Sequence, residues 1–192
     1  MKKIREFHIL RHPDVDKKHP LGEAAPLTDK GKEQVDGLCK KFKEVGIDLV
    51  VVSAEDIPRF NDTAAMMQRA GFTVRRADNI CFKDMKGKAP ILEIVKQYRE
   101  GGVALVHKLT EDPTAPIKIA IIGSWPLVSG LRLRDYETAQ MDESWFNDKP
   151  GFCTGVIINV YDEPVSSVDL SNIGISMPYY DPLTEDDGDD RL

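Results

Sequence analysis

Cysteine, basic charge and long apolar runs are all scarce in this chain of 192 residues. Its three cysteines, Cys39, Cys81 and Cys153, are far apart, odd in number and without metal-ligand spacing. The pattern argues against a disulfide framework or a cysteine metal site, and predicts reduced, mostly buried thiols of a cytoplasmic protein. No apolar run approaches the roughly 20 residues of a membrane-spanning helix. Arg5 and Glu6 interrupt any signal-like apolar core in the opening MKKIREFHIL. Lys and Arg number 26 against 32 Asp and Glu, a net charge of −6. The basic footprint of a general nucleic-acid binder is therefore missing, although a local pocket for a small anion fits this balance.

The residues present are those of an ordinary globular protein, 41% hydrophobic and 30% charged, in a length that suits one domain with a tail. Apolar strand patterns alternate with helical ones. FHIL (7–10) is a short apolar run. A helix follows over LTDKGKEQVDGLCKKFKEVG, where Val35, Leu38, Phe42 and Val45 share one face, with Thr28 as N-cap and Gly46 as stop. DLVVVS (48–53) has the continuous β-branched character of a strand buried on both faces. A second helix runs from Pro58 to a stop at Gly71, FTVRRA (72–77) is a candidate strand, and a long helix starts at Pro90. The Gly101-Gly102 pair in that helix is a candidate break. IKIAII (117–122) and GVIINVY (155–161) are further strands. The alternation predicts an α/β fold with a largely parallel sheet covered on both faces. Residues 1–165 read as the domain, and 166–192 as an irregular extension ending in the acidic, poorly apolar LTEDDGDDRL.

Ligands of parallel sheets collect at the carboxyl ends of the strands. Arg11, His12 and Asp14 follow the first strand, Ser53 and then Arg59 follow the second, and Gly123, Ser124 and Trp125 follow IKIAII. Two arginines and a histidine converging on one pocket suit a phosphoryl group, because the guanidinium fork matches phosphate oxygens. A neutral imidazole nitrogen can attack phosphorus and divide one difficult step into two. The helix starts near Arg59 and Pro126 would add backbone N–H groups. Read alone, an Arg-His pair is not a motif, and a surface ion pair at a strand end is the preferred reading of it.

In order along the chain, ILRHPDVD resembles the Arg-His-Gly strand end of the histidine phosphatase superfamily, the phosphoglycerate-mutase-like proteins. PLTDKGKEQ (26–34) is similar to its Pro-Leu-Thr-x-x-Gly-x-x-Gln helix start, and VVVSAEDIPRFNDTA (50–64) to its Val-x-Ser…Arg-x-x-x-Thr-Ala segment. IAIIGSWPLVSGL (119–131) resembles the strand and turn of the shorter bacterial phosphohistidine phosphatases. The resemblance implies a three-layer α/β/α domain with His12 as the nucleophile and Arg11 and Arg59 on the phosphoryl oxygens. It implies no cofactor and no metal. The partner it implies is a phosphorylated small molecule or a phosphoprotein, with neither nucleic acid nor membrane involved.

Two positions depart from the family pattern. Ser124 stands where the family has a second histidine, and Pro13 where it has a glycine after the nucleophile. A serine hydroxyl donates a hydrogen bond but brings no charge. A charge-assisted bond contributes about 1.5–3 kcal/mol against about 1 for a neutral one. Two readings follow: a phosphatase acting on a phosphomonoester or phosphohistidine through phospho-His12, or a catalytically impaired relative that binds a phosphorylated ligand or a partner. Asp84 and Glu93 are the candidate leaving-group acids, with plain surface roles as the alternative. His8 reads as a structural residue within its strand and His107 as a helix-surface or packing residue. His19 reads as a loop residue that could also stand in for the missing histidine. Trp125 either packs against a helix or narrows the pocket, and Met66 and Met67 read as packing.

Overall fold

The computed structural model describes residues 3–16, 18–19, 25–81, 90–131 and 151–161, and the backbone of 174–179. In chain order the elements are β1 (Lys3–Arg11), α1 (Asp29–Val45), β2 (Leu49–Ser53), α2 (Pro58–Arg69), β3 (Thr73–Ala77), a 3₁₀ turn (Asp78–Ile80), α3 (Ile91–Glu111), β4 (Lys118–Gly123), α4 (Trp125–Leu131), β5 (Gly155–Tyr161) and β6 (Gly174–Tyr179). One sheet takes all six strands in the order β3-β2-β4-β1-β5-β6. The β3–β2, β2–β4 and β4–β1 ladders are parallel, while β5 runs antiparallel to both of its neighbours.

Strand periodicity divides the core into two halves, as side chains on successive residues point to opposite faces. Phe7, Ile9, Leu49, Val51, Ile119 and Ile121 pack with Ile94, Tyr98, Leu105 and Leu109 of α3 and Leu127 and Leu131 of α4. Leu10, Val50, Val52, Ala120 and Ile122 pack on the other face with Val35, Leu38 and Phe42 of α1 and Phe60 and Met67 of α2. The result is the expected three-layer α/β/α arrangement. Each fully buried large apolar side chain contributes about 1.5–3 kcal/mol, in keeping with the almost wholly apolar β2 (LVVVS) and β4 (KIAIIG).

Local signals place most helix ends. Thr28 Oγ accepts the Gly31 N–H at 2.9 Å, and Gly46 closes α1 in the left-handed conformation at φ 77°. Gly71 follows α2 with φ 96°. The Gly101-Gly102 pair does not break α3, which continues through it. A side chain at Gly102 would meet Leu127 Cδ1 at 2.6 Å, so the glycine there admits α4 against α3 and is not a stop. A strand also forms where the sequence suggested irregular chain: β6 pairs antiparallel with β5 beyond Tyr161. Its register is set by the edge of a sheet already built, a condition that no local pattern records.

Cys39 and Cys153 are buried, Cys81 is half-buried, and none is disulfide-bonded. Burial pushes the Cys39 thiol up from its ordinary value, as expected of an inert core thiol. Among the described residues, no helix is long and apolar enough to cross a membrane.

Candidate active site

The parallel strands β1, β2 and β4 end on one edge of the sheet. β1 and β4 pair to their last residues, with Arg11 opposite Gly123, and the His12 N–H donates to the Gly123 carbonyl at 2.8 Å. This pairing brings Arg11, His12 and Ser124 together. Because β5 is antiparallel, its start lies on the same edge, with Leu10 opposite Gly155. The turn 151–154 therefore enters the site. Arg11 N–H donates to Thr154 O at 2.9 Å, and Cys153 N–H donates to Arg11 O at 3.2 Å. A Cβ at Gly155 would strike the Ile9 carbonyl, so this close crossing requires glycine.

Four side chains singled out by sequence are buried here: Arg11, His12, Arg59 and Ser124. Two phenylalanines link them. The Arg11 guanidinium lies 4.0 Å from the centre of the Phe152 ring, and that ring is 5.5 Å from the His12 ring. On the other side Phe60 meets His12 edge-to-face at 5.7 Å, and the Arg59 guanidinium lies 5.2 Å from the Phe60 ring. The histidine thus sits between two aromatic rings, each carrying an arginine. Cation–π attraction favours each guanidinium beside its ring.

The imidazole is fixed by its own neighbour. His12 Nδ1 lies 2.8 Å from the Pro13 carbonyl. A carbonyl can only accept, so Nδ1 carries the hydrogen and the neutral ring has its lone pair on Nε2. Pro13 lacks an N–H, but it supplies the group that sets this tautomer. Ser124 is 3% exposed, and its Oγ has no hydrogen-bond partner among the described residues. A buried hydroxyl normally finds one, which sets Ser124 apart at this strand end.

The strand-end loop is tied to α1 by the PLTDKGKEQ segment. Gln34, fully buried, accepts the Asp14 N–H through Oε1 at 2.8 Å. Thr28 donates its hydroxyl to Asp14 Oδ2 at 2.5 Å, and its N–H to Asp14 O at 3.2 Å. A Cβ at Gly31 would collide with that same Asp14 carbonyl. Threonine, glycine and glutamine at this spacing therefore hold the chain just after His12. Asp14 is a fastening point in this arrangement.

Other sequence candidates fall elsewhere. Glu93 is exposed in the first turn of α3, where an anion suits the helix dipole. Asp84 lies outside the described residues. Trp125 packs against Val95 of α3. His107 is half-buried on α3, with Nδ1 3.2 Å from Glu111 Oε1. His19 is half-buried and its N–H donates to Asp16 O. His8 lies deep in β1, with Nε2 2.8 Å from Glu6 Oε1. Sequence reasoning missed Phe60, Phe152, Glu55 and Tyr98. None belongs to a polar pattern, and Phe152 reaches the site only because β5 is antiparallel.

No family profile and no curated protein matches the chain by sequence. Solved structures do match by shape. A mycobacterial hydrolase superposes with a TM-score of 0.60 at 16% identity, covering 90% of this chain and 97% of that one. A mycobacterial glucosyl-3-phosphoglycerate phosphatase in complex with VO3 gives 0.55 at 16%, covering 80% and 92%. The protein histidine phosphatase SixA with tungstate gives 0.50 at 19%, covering 90% and 95%. The fold is that of the histidine phosphatases. In this histidine phosphatase fold, the Arg-His pair at the end of β1 and the arginine in the first turn of α2 occupy one edge of the sheet.

Proposed function

We propose that this chain binds a phosphoryl group through Arg11, Arg59 and Ser124, and that His12 hydrolyses a phosphomonoester or a phosphohistidine. The observation carrying this reading is the His12 Nδ1 contact with Pro13 O, which leaves the Nε2 lone pair as nucleophile between two buried arginines. Two of the similar structures hold VO3 and tungstate, oxyanions built like a phosphoryl group.

In the first step Nε2 forms a bond to phosphorus while the bond to the leaving oxygen or nitrogen breaks. The leaving group departs with the electron pair and takes a proton from solvent water. Water then attacks phosphorus, the N–P bond breaks, and phosphate leaves with imidazole restored. Arg11 and Arg59 offset the charge on the phosphoryl oxygens, and Ser124 Oγ donates a neutral hydrogen bond. A phosphohistidine leaving nitrogen asks less of an enzyme acid than an alkoxide does, in keeping with the neutral donor at 124. The partner is accordingly a phosphorylated small molecule or a phosphoprotein.

The test is incubation with a labelled phosphodonor followed by a denaturing quench. An acid-labile, base-stable label that vanishes in His12→Asn is expected. No label, or one that survives His12→Asn, overturns the enzymatic reading. Ser124 favours a second reading, a catalytically impaired relative that holds a phosphorylated ligand or partner. Turnover rising from near nothing in Ser124→His supports it, and robust wild-type turnover lost in Ser124→Ala removes it.

A further inference from the structure

Beside Arg59 lies a carboxylate that the phosphoryl-binding reading does not use. Glu55 is fully buried between β2 and α2, and Tyr98 of α3 is fully buried as well. The Tyr98 hydroxyl donates to Glu55 Oε1 at 2.6 Å, while Glu55 Oε2 lies 4.0 Å from Arg59 Nη2. The Glu55 backbone is held from two neighbouring strands. Its N–H donates to Ser53 Oγ at 3.3 Å, and its carbonyl accepts from Arg76 Nη2 at 2.9 Å. Ser53 Oγ in turn donates to Ile80 O at 3.1 Å.

This turn decides where α2 begins and so where Arg59 stands. The Ile57 N–H donates back to the Glu55 carbonyl, and Pro58 then opens α2 with no side-chain cap. A buried carboxylate needs a compensating cation, and among the described residues Arg59 is a cation within 4.0 Å of it. Yet 4.0 Å is longer than a two-pronged arginine–carboxylate pair. Tyr98 holds the carboxylate to one side, so Glu55 attracts Arg59 without closing over its fork.

We propose that Glu55 is a positioning residue for Arg59: its carboxylate, restrained by Tyr98, orients the guanidinium and moderates its grip on phosphate so that the product ion leaves. This rests on the phosphoryl-binding reading above. Removing the charge strengthens the hold of Arg59 on an anion. Removing only the tyrosine hydroxyl frees the carboxylate to close on Arg59 and weakens it.

The experiment is calorimetric titration of inorganic phosphate into wild type, Glu55→Gln, Tyr98→Phe, Arg59→Gln and the two double variants with Arg59→Gln, with urea midpoints measured alongside. Glu55→Gln is expected to bind phosphate about tenfold more tightly, and Tyr98→Phe about threefold more weakly. Both changes are expected to vanish in the Arg59→Gln background. A purely structural role moves both variants the same way, and that result overturns the inference, as does a change that persists without Arg59. Should Glu55→Gln fail to fold, Tyr98→Phe decides alone, and unchanged or tighter binding overturns the inference. Wild type whose phosphate binding is lost in Arg59→Gln but unaltered by Glu55→Gln refutes the role of Glu55 and leaves the site standing. Wild type that takes no phosphate refutes the site itself.

Discussion

His12 Nδ1 lies 2.8 Å from the carbonyl oxygen of the residue that follows it, Pro13. The departure from glycine at that position removes a backbone N–H but keeps the acceptor, and the proline ring restricts φ to about −65°. The acceptor that sets the tautomer is thus carried by a stiff residue. Pro13→Gly is expected to retain phosphohistidine labelling within about threefold of wild type, since the carbonyl survives. Labelling lost in Pro13→Gly would show that the rigid ring, and not the carbonyl alone, places His12.

Ser124 separates binding from folding. Its buried hydroxyl has no partner among the described residues, so Ser124→Ala removes no hydrogen bond within that part of the fold. The urea midpoint of Ser124→Ala is expected to match that of wild type, while phosphate affinity falls about fivefold, the worth of one neutral hydrogen bond of about 1 kcal/mol. A large stability loss with unchanged affinity would place the hydroxyl outside the site.

The fastening of the loop after His12 predicts the opposite pattern. Gly31→Ala drives a methyl group into the Asp14 carbonyl, and Gln34→Leu leaves the half-buried Asp14 N–H without its acceptor. Each is expected to lower unfolding free energy by about 1–3 kcal/mol in urea titration. The two losses should be less than additive, because both variants release the same loop.

His8 gives the fold a pH dependence of its own. Burial lowers its pKa below the ordinary value, against the opposing hydrogen bond with Glu6 and with the help of Lys118 and Lys3. The folded state therefore holds fewer protons than the unfolded one near neutrality, and stability falls as pH drops. Thermal midpoints are expected to be level above about pH 6.5 and to decline below it as His8 protonates. His8→Gln, which can still donate to Glu6, should flatten the decline that begins as pH falls below about 6.5. A histidine variant with an unchanged slope would assign the decline to other groups.

The sequence by itself determined the order of the main strands and helices as far as β5, the caps at Thr28 and Gly46 and the stop at Gly71, and the candidate set Arg11, His12, Arg59 and Ser124. Those features depend on short-range physics: periodicity of buried side chains, turn chemistry, and polar residues at the ends of apolar strands. The tertiary structure decided what joins them. The helix through Gly101-Gly102 continues because α4 presses into the space the glycine leaves. β6 forms because β5 offers an open edge. Phe152 reaches Arg11 because β5 runs antiparallel, and Glu55 meets Tyr98 across 43 residues of chain. Such contacts follow from which surfaces meet when the sheet closes its two faces, and a linear pattern of residue types carries no record of that meeting.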